Sequence, residues 1–224
     1  MRIELLCTGD ELLDGSVVDT NSAWLAGELF ARGAAPAHKE TVPDDLEAIA
    51  AAFRRQGERA DFIVSCGGLG PTCDDLTVEA AALAAGVPME TDQAILTHLR
   101  DYFARRGFTF TPNNERQARV PRGATPIINA FGTAPMIRLR IGKAETWLLP
   151  GVPREFRGLC GEHVLPRVDE LLAREPGRLH HAARTIKVFG IGESMLETKV
   201  SGLPARHPHV RFGYRTHAPE NHLK

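Results

Sequence analysis

The sequence predicts an α/β protein with a mostly parallel sheet that helices cover on both faces, followed by a small α+β unit. Short apolar runs alternate with helical patterns over the first half of the chain, which is typical of βαβ units. Glycine-bearing loops follow several of these runs. A Glu-Pro-Gly-Arg stretch at 175–178 then separates a first domain, residues 1–174, from an appendage, residues 182–224.

Strand and helix patterns alternate regularly in the first half of the chain. The apolar run at 3–8 predicts a buried strand that Gly9 ends. A helix follows at 22–32, with N-cap candidates at 19–21. Its buried face would consist of Trp24, Leu25, Leu29 and Phe30. The pattern continues with a weaker strand at 34–42, a helix at 43–57, a strand at 61–66 and a helix at 78–85.

The second half of the chain is less regular. Thr91 is the predicted N-cap of a helix whose apolar side carries Ile95, Leu96, Leu99 and Phe103. The remaining predictions for the first domain are a short polar helix at 113–118, strands at 136–141 and 145–149 joined by a hairpin turn, a helix opening near Pro153 and a helix at 164–174.

The appendage is predicted as a strand at 184–189, a helix at 193–200 and a strand at 210–215. A segment this short can bury only a small hydrophobic core of its own. The appendage is therefore a packed extension, a dimerisation element or the remains of a longer protein.

Composition excludes several functional classes. Apolar residues make up 43% and charged residues 25% of the 224 residues, as in ordinary globular proteins. Because 27 Lys and Arg nearly balance 28 Asp and Glu, no global field attracts nucleic acid or an anionic membrane. No apolar run approaches the length of a membrane helix, and the N-terminus leads directly into a strand without a leader. Four cysteines without CxxC spacing predict a reducing, cytoplasmic setting.

A glycine-rich loop at 65–77 follows the third predicted strand. Gly67, Gly68 and Gly70 allow the backbone to approach a ligand, and amides beside a helix N-terminus favour a phosphate. Asp74 and Asp75 could hold a cation bound to that phosphate, and Asp75 could also cap the next helix. The alternative is a plain helix cap after a tight turn.

Two further loops belong with this one. The segments 8–11 and 150–153 also follow strands, and the C-terminal ends of parallel strands share one edge where ligands bind. The sequence leaves the direction of the strand before residue 150 open, but even after an antiparallel strand its glycine-flanked loop can line that edge. The predicted binding residues are Thr8, Gly9, Glu11, Asp19, Asn21, Gly67, Gly68, Leu69, Gly70, Thr72, Thr77, Asn114, Arg116, Thr133, Pro150 and Gly151.

Several of these residues carry two interpretations. Asp10 and Glu11 are metal ligands or a general base beside Asp74 and Asp75, and Glu11 could equally start a helix. Asp19 and Asn21 contact a ribose or base, or cap a helix. Arg116 pairs with a phosphate or a carboxylate, or lies on a solvated face.

These motifs together resemble a known family. The segments 8–12, 19–21, 67–72, 74–77, 113–118, 132–135 and 149–153 occur in the order found in the CinA family of competence/damage-inducible proteins. The N-terminal domain of that family has the molybdopterin-binding fold shared with MogA, MoaB and MoeA. The resemblance is dense over residues 1–170 and continues through 187–193.

The resemblance implies a three-layer α/β/α domain and a function. It implies hydrolysis of ADP-ribose to AMP and ribose 5-phosphate with a divalent cation (Mg²⁺, Mn²⁺ or Co²⁺) and K⁺. Asp10, Asp74 and Asp75 would be the catalytic and metal-binding residues. Relatives assemble as dimers or trimers, so a homo-oligomer is expected. The deamidase domain of full-length relatives is not expected, because the sequence shows no second catalytic unit before Lys224.

Two other functions stay open at this point. The alternative is a molybdopterin-binding or pterin-adenylylating protein of molybdenum cofactor biosynthesis, in which Asp75 falls at the position that helps adenylyl transfer. The second alternative is a nucleotide-binding module without catalysis.

Overall fold

The computed structural model describes residues 1–175 and 183–224. They belong to two compact units, Met1–Leu179 and His180–Lys224. The linker predicted at 175–178 lies outside the described residues from residue 176 onward, as does the first residue of the predicted appendage.

The large unit has eight strands among the described residues, and six of them form its main sheet. The strands are β1 (Ile3–Thr8), β2 (His38–Val42), β3 (Phe62–Cys66), β4 (Met89–Thr91), β5 (Arg119–Pro121), β6 (Thr125–Ile127), β7 (Met136–Ile141) and β8 (Ala144–Leu149). The main sheet has the order β2-β1-β3-β8-β7-β6, whereas β4 and β5 form a separate antiparallel pair. Strands β2, β1, β3 and β8 are mutually parallel, and β7 and β6 each pair antiparallel with their neighbours.

Helices cover both faces of this sheet. They are α1 (Asp10–Leu13), α2 (Thr20–Ala31), α3 (Leu46–Arg59), α4 (Thr77–Ala85), α5 (Gln93–Arg105), α6 (Pro153–Leu159) and α7 (Leu165–Ala173), with a 3-10 helix at Pro112–Ala118 and a π-helical turn at Cys160–Val164. Because strand residues alternate between faces, Leu5 packs with α2, α6 and α7, while Leu6 packs with α3 and α4. The predicted three-layer α/β/α fold is confirmed.

The direction of the late strand is settled. β7 and β8 form the predicted hairpin, and Gly142 in its turn has φ of 57°. β8 pairs parallel with β3, with Cys66 opposite Leu149. The loop that begins at Pro150 therefore leaves the same edge of the sheet as the glycine-rich loop.

Three local predictions were wrong. Phe30 is 41% exposed, because it lies about 100° around the helix from the buried Leu29. Asp92 rather than Thr91 caps α5, accepting from the Ile95 amide at 2.9 Å, because Thr91 is paired within β4. The helix predicted from residue 43 begins later, at α3, where the Asp45 side chain caps the Ala48 amide.

The small unit is an antiparallel sheet with two helices. Its elements are β9 (Ile186–Phe189), α8 (Glu193–Val200), α9 (Leu203–Arg206), β10 (Tyr214–His217) and β11 (Glu220–Leu223), with strand order β10-β11-β9. The strand predicted at 210–215 lies several residues later, at β10, and β11 was not predicted. Its sequence, Glu-Asn-His-Leu, lacks the apolar alternation that indicates a strand. Within residues 1–175 and 183–224, no helix combines the length and apolarity that crossing a membrane requires.

Candidate functional site

Four loops meet at one edge of the sheet, because β1, β2, β3 and β8 all point the same way. Between these loops lies a cleft with a volume of about 400 Å³. Its wall consists of Thr8, Gly9, Glu11, Asp44, Gly67, Gly68, Leu69, Gly70, Pro71, Asp74, Asp75, Gln117, Thr133, Ala134, Pro150, Gly151, Val152 and Glu155. The structure thus brings together most of the predicted binding residues.

The glycine turn, residues 67–70, forms the centre of the cleft. Gly67 and Gly68 have φ of 105° and 68°, which L side chains rarely adopt. A Cβ on Gly68 would lie 2.2 Å from the Thr77 hydroxyl oxygen. That hydroxyl is itself 2.9 Å from the Thr8 hydroxyl, so Thr77 lies buried beneath the turn. Only glycine fits this close contact between β1, the turn and α4.

Asp75 organises the turn from within. Its Oδ1 accepts from the Gly70 amide at 2.7 Å, and its Oδ2 accepts from the Thr72 amide at 2.8 Å. The Thr72 hydroxyl also donates to Oδ2. The prediction that Asp75 caps the next helix was wrong, because its two oxygens bind the preceding loop and α4 has no side-chain cap.

Two backbone amides of the turn are left for a ligand. The Gly67 amide donates to Leu149 O at 3.0 Å, and the Gly70 amide is bound by Asp75. The amides of Gly68 and Leu69 donate no hydrogen bond to any residue that the structure describes. Adjacent unpaired amides in a turn with positive φ form a concave anion-binding surface.

The rest of the cleft is strongly acidic. Its wall carries five carboxylates, and none of the residues described along it is a lysine, arginine or histidine. We define the acidic rim as Glu11, Asp44 and Asp74. Burial, together with the charges of Glu11, Asp10 and Asp74, raises the pKa of Asp44. The Thr72 side chain lowers the pKa of Asp74, and the nearby Arg116 lowers it further. The rim thus holds negative charge at a cost that a cation would relieve.

The three predicted metal ligands do not form a ready-made cage. Asp10 is exposed and lies outside the cleft wall, because its carboxylate accepts from the Asp44 amide at 3.3 Å. In return, the Asp10 amide donates to the Asp44 carboxylate at 3.2 Å. Across the described residues, no group of three His, Cys, Asp or Glu side chains could hold a metal ion alone.

Four further predicted residues support the cleft from outside its wall. Arg116 donates to the carbonyl oxygens of Thr72 and Asp75 and pairs with Glu79. It therefore stabilises the glycine-rich loop and is not part of the cleft wall. Thr72 points its amide and hydroxyl at Asp75. Asn114 is buried and accepts from the Thr111 amide at 2.9 Å, closing the start of the 3-10 helix. Thr77 packs under Gly68.

Asp19 and Asn21 are also structural. The Asp19 side chain caps α2 through the Ser22 amide at 2.9 Å and pairs with Lys39 at 2.6 Å. Although burial opposes it, the Lys39 and Ser22 hydrogen bonds lower the pKa of Asp19 to about 2. Asn21 is buried and donates to Gly151 O at 2.7 Å, which fixes the loop after β8.

Sequence reasoning missed three polar residues of the cleft. The helical pattern predicts a helix start at Asp44, whereas the structure places Asp44 after the parallel strand β2 at the same edge. Gln117 donates to Leu69 O at 3.5 Å and to the Thr133 hydroxyl at 3.3 Å. Glu155 lies in the first turn of α6, and the only sequence signal for it was its position just after the 150–153 loop.

Comparison with known proteins identifies the family. Residues 4–170 match the model described as a probable molybdopterin binding domain. A CinA-like protein of Myxococcus xanthus (strain DK1622) is 46% identical over 224 residues, covering 100% of this chain and 53% of that protein. The chain belongs to the CinA-like family. A CinA-like protein of Anaeromyxobacter sp. (strain Fw109-5) is also 46% identical, with 100% of this chain and 54% of that protein covered. The chain spans about half the length of the curated relatives it matches.

A solved structure of a CinA protein agrees with this assignment. The protein CinA from Thermoplasma acidophilum, described as having unknown function, has a TM-score of 0.68 and 34% identity, covering 75% of this chain and 97% of that one. A molybdopterin biosynthesis protein from Mycobacterium abscessus has a TM-score of 0.50 at 18% identity, over 77% of this chain and 96% of that one, and shares the fold alone. The resemblance to CinA-like proteins is confirmed.

Proposed function

We propose that the CinA-like chain binds a nucleotide pyrophosphate together with a divalent cation and hydrolyses it, with ADP-ribose to AMP and ribose 5-phosphate as the expected reaction. One observation supports this proposal above the others. The cleft offers two unpaired amides to a phosphate, yet it surrounds them with five carboxylates and no basic side chain among the residues described.

This charge pattern selects against a bare anion. At an effective dielectric constant of about 20, two like unit charges about 5 Å apart repel each other by about 3 kcal/mol. Several such pairs would outweigh what two amide hydrogen bonds contribute. When the phosphate arrives with a divalent cation, its electrostatic interaction with the rim becomes favourable, because the rim carboxylates attract the cation of the complex.

The available donors fit a hard cation. Carboxylate oxygens are the ligands of Mg²⁺ and Mn²⁺, and Mg²⁺ is commonly held by one or two carboxylates plus substrate phosphates. Asp74 and Asp44 would supply those oxygens, with Glu11 beside them. When bound, the cation would neutralise charge that develops on the phosphates.

The chain's own groups then have distinct tasks. The amides of Gly68 and Leu69 orient one phosphate and stabilise its oxygens as water attacks. Asp75 keeps that pair of amides fixed by holding the rest of the turn. The pKa of Asp74 lies below its ordinary value, so Asp74 stays ionised at neutral pH and is available to the cation.

A metal-dependent turnover assay tests the proposal. ADP-ribose is incubated with the chain and Mg²⁺, Mn²⁺ or Co²⁺, with and without K⁺, and AMP is quantified by chromatography. We expect AMP formation that EDTA abolishes and that Asp74→Asn lowers by about 10²-fold or more in kcat/KM, the scale of losing one charge-stabilising interaction.

The matched control is Asp101→Asn, which removes an exposed aspartate on α5 outside the cleft and should leave turnover unchanged. Absence of AMP with every metal would contradict the hydrolase proposal. Nucleotide binding by calorimetry without any product would favour the non-catalytic module instead.

One observation favours a second candidate. The matched domain, residues 4–170, is described as a probable molybdopterin binding domain, and the same cleft lies within it. The second candidate is therefore a chain that binds molybdopterin or adenylylates it. Incubation with ATP, Mg²⁺ and the pterin separates the two, because only this candidate forms adenylylated pterin.

We also expect a homo-oligomer, which light scattering after gel filtration tests.

A further inference from the structure

Glu155 is a carboxylate of the cleft wall that follows β8 in the chain. It belongs to the first turn of α6, directly after the loop that leaves β8. Its carboxyl group lies over Gly132, where a Cβ would come within 2.1 to 2.3 Å of the carboxyl atoms. No side chain larger than hydrogen fits at residue 132 with Glu155 in this place.

Asn129 fixes one oxygen of Glu155 and leaves the other open. The Asn129 side-chain amide donates to Glu155 Oε2 at 2.7 Å. Asn129 cannot turn away, because it also donates to Ala134 O at 3.0 Å and accepts from the Phe131 amide at 2.9 Å. Glu155 Oε1 has no hydrogen-bond partner within the described part of the chain. The side chain is thus held in one orientation with a free oxygen on the cleft wall.

The surroundings of Glu155 favour proton uptake. Burial raises its pKa above the ordinary value, while the Asn129 hydrogen bond and the charge of Arg154 oppose that shift. The other charged groups of the cleft are Glu11, Asp44, Asp74 and Asp75. A general base works best when its pKa is brought toward the operating pH.

We propose that Glu155 is the general base of the reaction, accepting the proton of the water that attacks the phosphate held at Gly68 and Leu69. This inference rests on the proposed pyrophosphate hydrolysis. The other carboxylates are committed elsewhere: Asp75 to the loop, and the acidic rim to the cation. Glu155 is the remaining carboxylate of the described cleft wall, and Asn129 is its positioning residue.

The step balances without a further reactant. The water oxygen forms a bond to phosphorus, and its proton moves to Glu155 Oε1. The bridging bond between the phosphorus and the leaving oxygen breaks, and its electron pair stays with the departing phosphate. That group is stable as an anion, so departure needs no second acid.

The test compares Glu155→Gln with Glu162→Gln. Gln keeps the size of the side chain and an oxygen that can accept from Asn129. Glu162 is an exposed glutamate of the π-helical turn, away from the cleft wall. With ADP-ribose and Mg²⁺, we expect Glu155→Gln to lower kcat by about 10² to 10⁴-fold, with KM changed by less than about threefold. Glu162→Gln should match the wild-type chain.

The pH dependence supplies a readout that a structural role would not move. The acidic limb of the kcat profile should vanish in Glu155→Gln. In Asn129→Ala it should move to higher pH, because a hydrogen bond that favours the carboxylate is lost. A second measurement does not depend on turnover. Carbon NMR of labelled glutamate carboxyls should show a carboxyl with a raised pKa in the wild-type chain, and its signal should be absent from Glu155→Gln.

Two failures are distinguishable. If the wild-type chain hydrolyses no pyrophosphate, the proposed function fails and the role of Glu155 falls with it. If the wild-type chain turns over and Glu155→Gln keeps both its rate and its acidic limb, only the assignment of Glu155 is overturned. Circular dichroism of each variant confirms that the fold is retained.

Discussion

The glycine turn and the acidic rim line the same cleft, but hydrogen bonds stabilise the turn whereas charge repulsion destabilises the rim. Around the turn, the Gly67 amide donates to Leu149 O and the Gly70 amide donates to Asp75, which leaves the amides of Gly68 and Leu69 for a ligand. The rim instead gathers carboxylates whose mutual repulsion nothing in the described cleft wall offsets. The turn is therefore preorganised for the proposed phosphate, whereas the rim would need the proposed cation to offset its charge.

The largest effect should come from closing the turn. In Gly68→Ala, a methyl group would meet the Thr77 hydroxyl at 2.2 Å in a backbone conformation with φ of 68°. The positive φ costs about 1–2 kcal/mol and overpacking about 1–3 kcal/mol. Calorimetry should show Tm lowered by about 5–15 °C, at roughly 2–4 °C per kcal/mol, together with loss of nucleotide binding.

Gly15→Ala separates the two causes. Gly15 has φ of 82°, but nothing lies within 4 Å of a Cβ built there. This variant should show only the backbone cost and retain ligand binding. An equal fall in Tm for both variants would mean that the contact with Thr77 relaxes and that the turn is less rigid than its hydrogen bonds indicate.

The two neighbouring aspartates provide the next contrast. Asp75→Asn offers one acceptor oxygen where the wild-type side chain has two, so the Gly70 or the Thr72 amide loses its partner. We expect a loss of about 1–2 kcal/mol in the free energy of unfolding, measured by urea titration. Asp74→Asn, which changes an exposed carboxylate of the rim, should unfold at the wild-type urea concentration. The reverse order would assign the organising role to Asp74.

The smallest effect concerns the rim alone. Because the folded chain raises the pKa of Asp44, ionisation of Asp44 opposes folding above that pKa and has no effect below the unfolded value. Asp44→Asn should therefore stabilise the chain at pH 7, by about 0.5 kcal/mol given solvent screening. The gain should disappear at pH 3.

Thermal unfolding with and without Mg²⁺ completes this test. Bound cation relieves the same repulsion, so Mg²⁺ should raise the Tm of the wild-type chain more than that of Asp44→Asn. A gain that persists unchanged at pH 3 would show that the effect does not arise from charge.

The sequence was informative where the physical signal is local. Three glycines in four residues predict the turn, and alternating apolar runs predict the parallel sheet that brings 8–11, 67–75 and 150–153 to one edge. The separate tasks of Asp74 and Asp75 could not be predicted, because two adjacent carboxylates look alike until their hydrogen bonds are known. Asn114 and Arg116 likewise face inward or toward carbonyl groups for reasons that depend on distant segments.

The residues missed by the sequence are those placed by long-range contacts. Asp44 belongs to the rim only because β2 lies parallel to β1, and Glu155 reaches the cleft only because Gly132 leaves space for it. Asn129 holds Glu155 across 26 residues of chain. No spacing rule connects such positions.

The π-helical turn between α6 and α7 has a geometric consequence. In an unbroken α-helix, 16 residues at about 100° each would place Leu172 roughly 160° around the axis from Phe156. A π turn absorbs about one extra residue and reduces that angle to about 60°. Phe156 and Leu172 are both buried in the same core cluster as a result. The π-helical turn therefore keeps the apolar residues of α6 and α7 on the same side, so that both helices face the sheet.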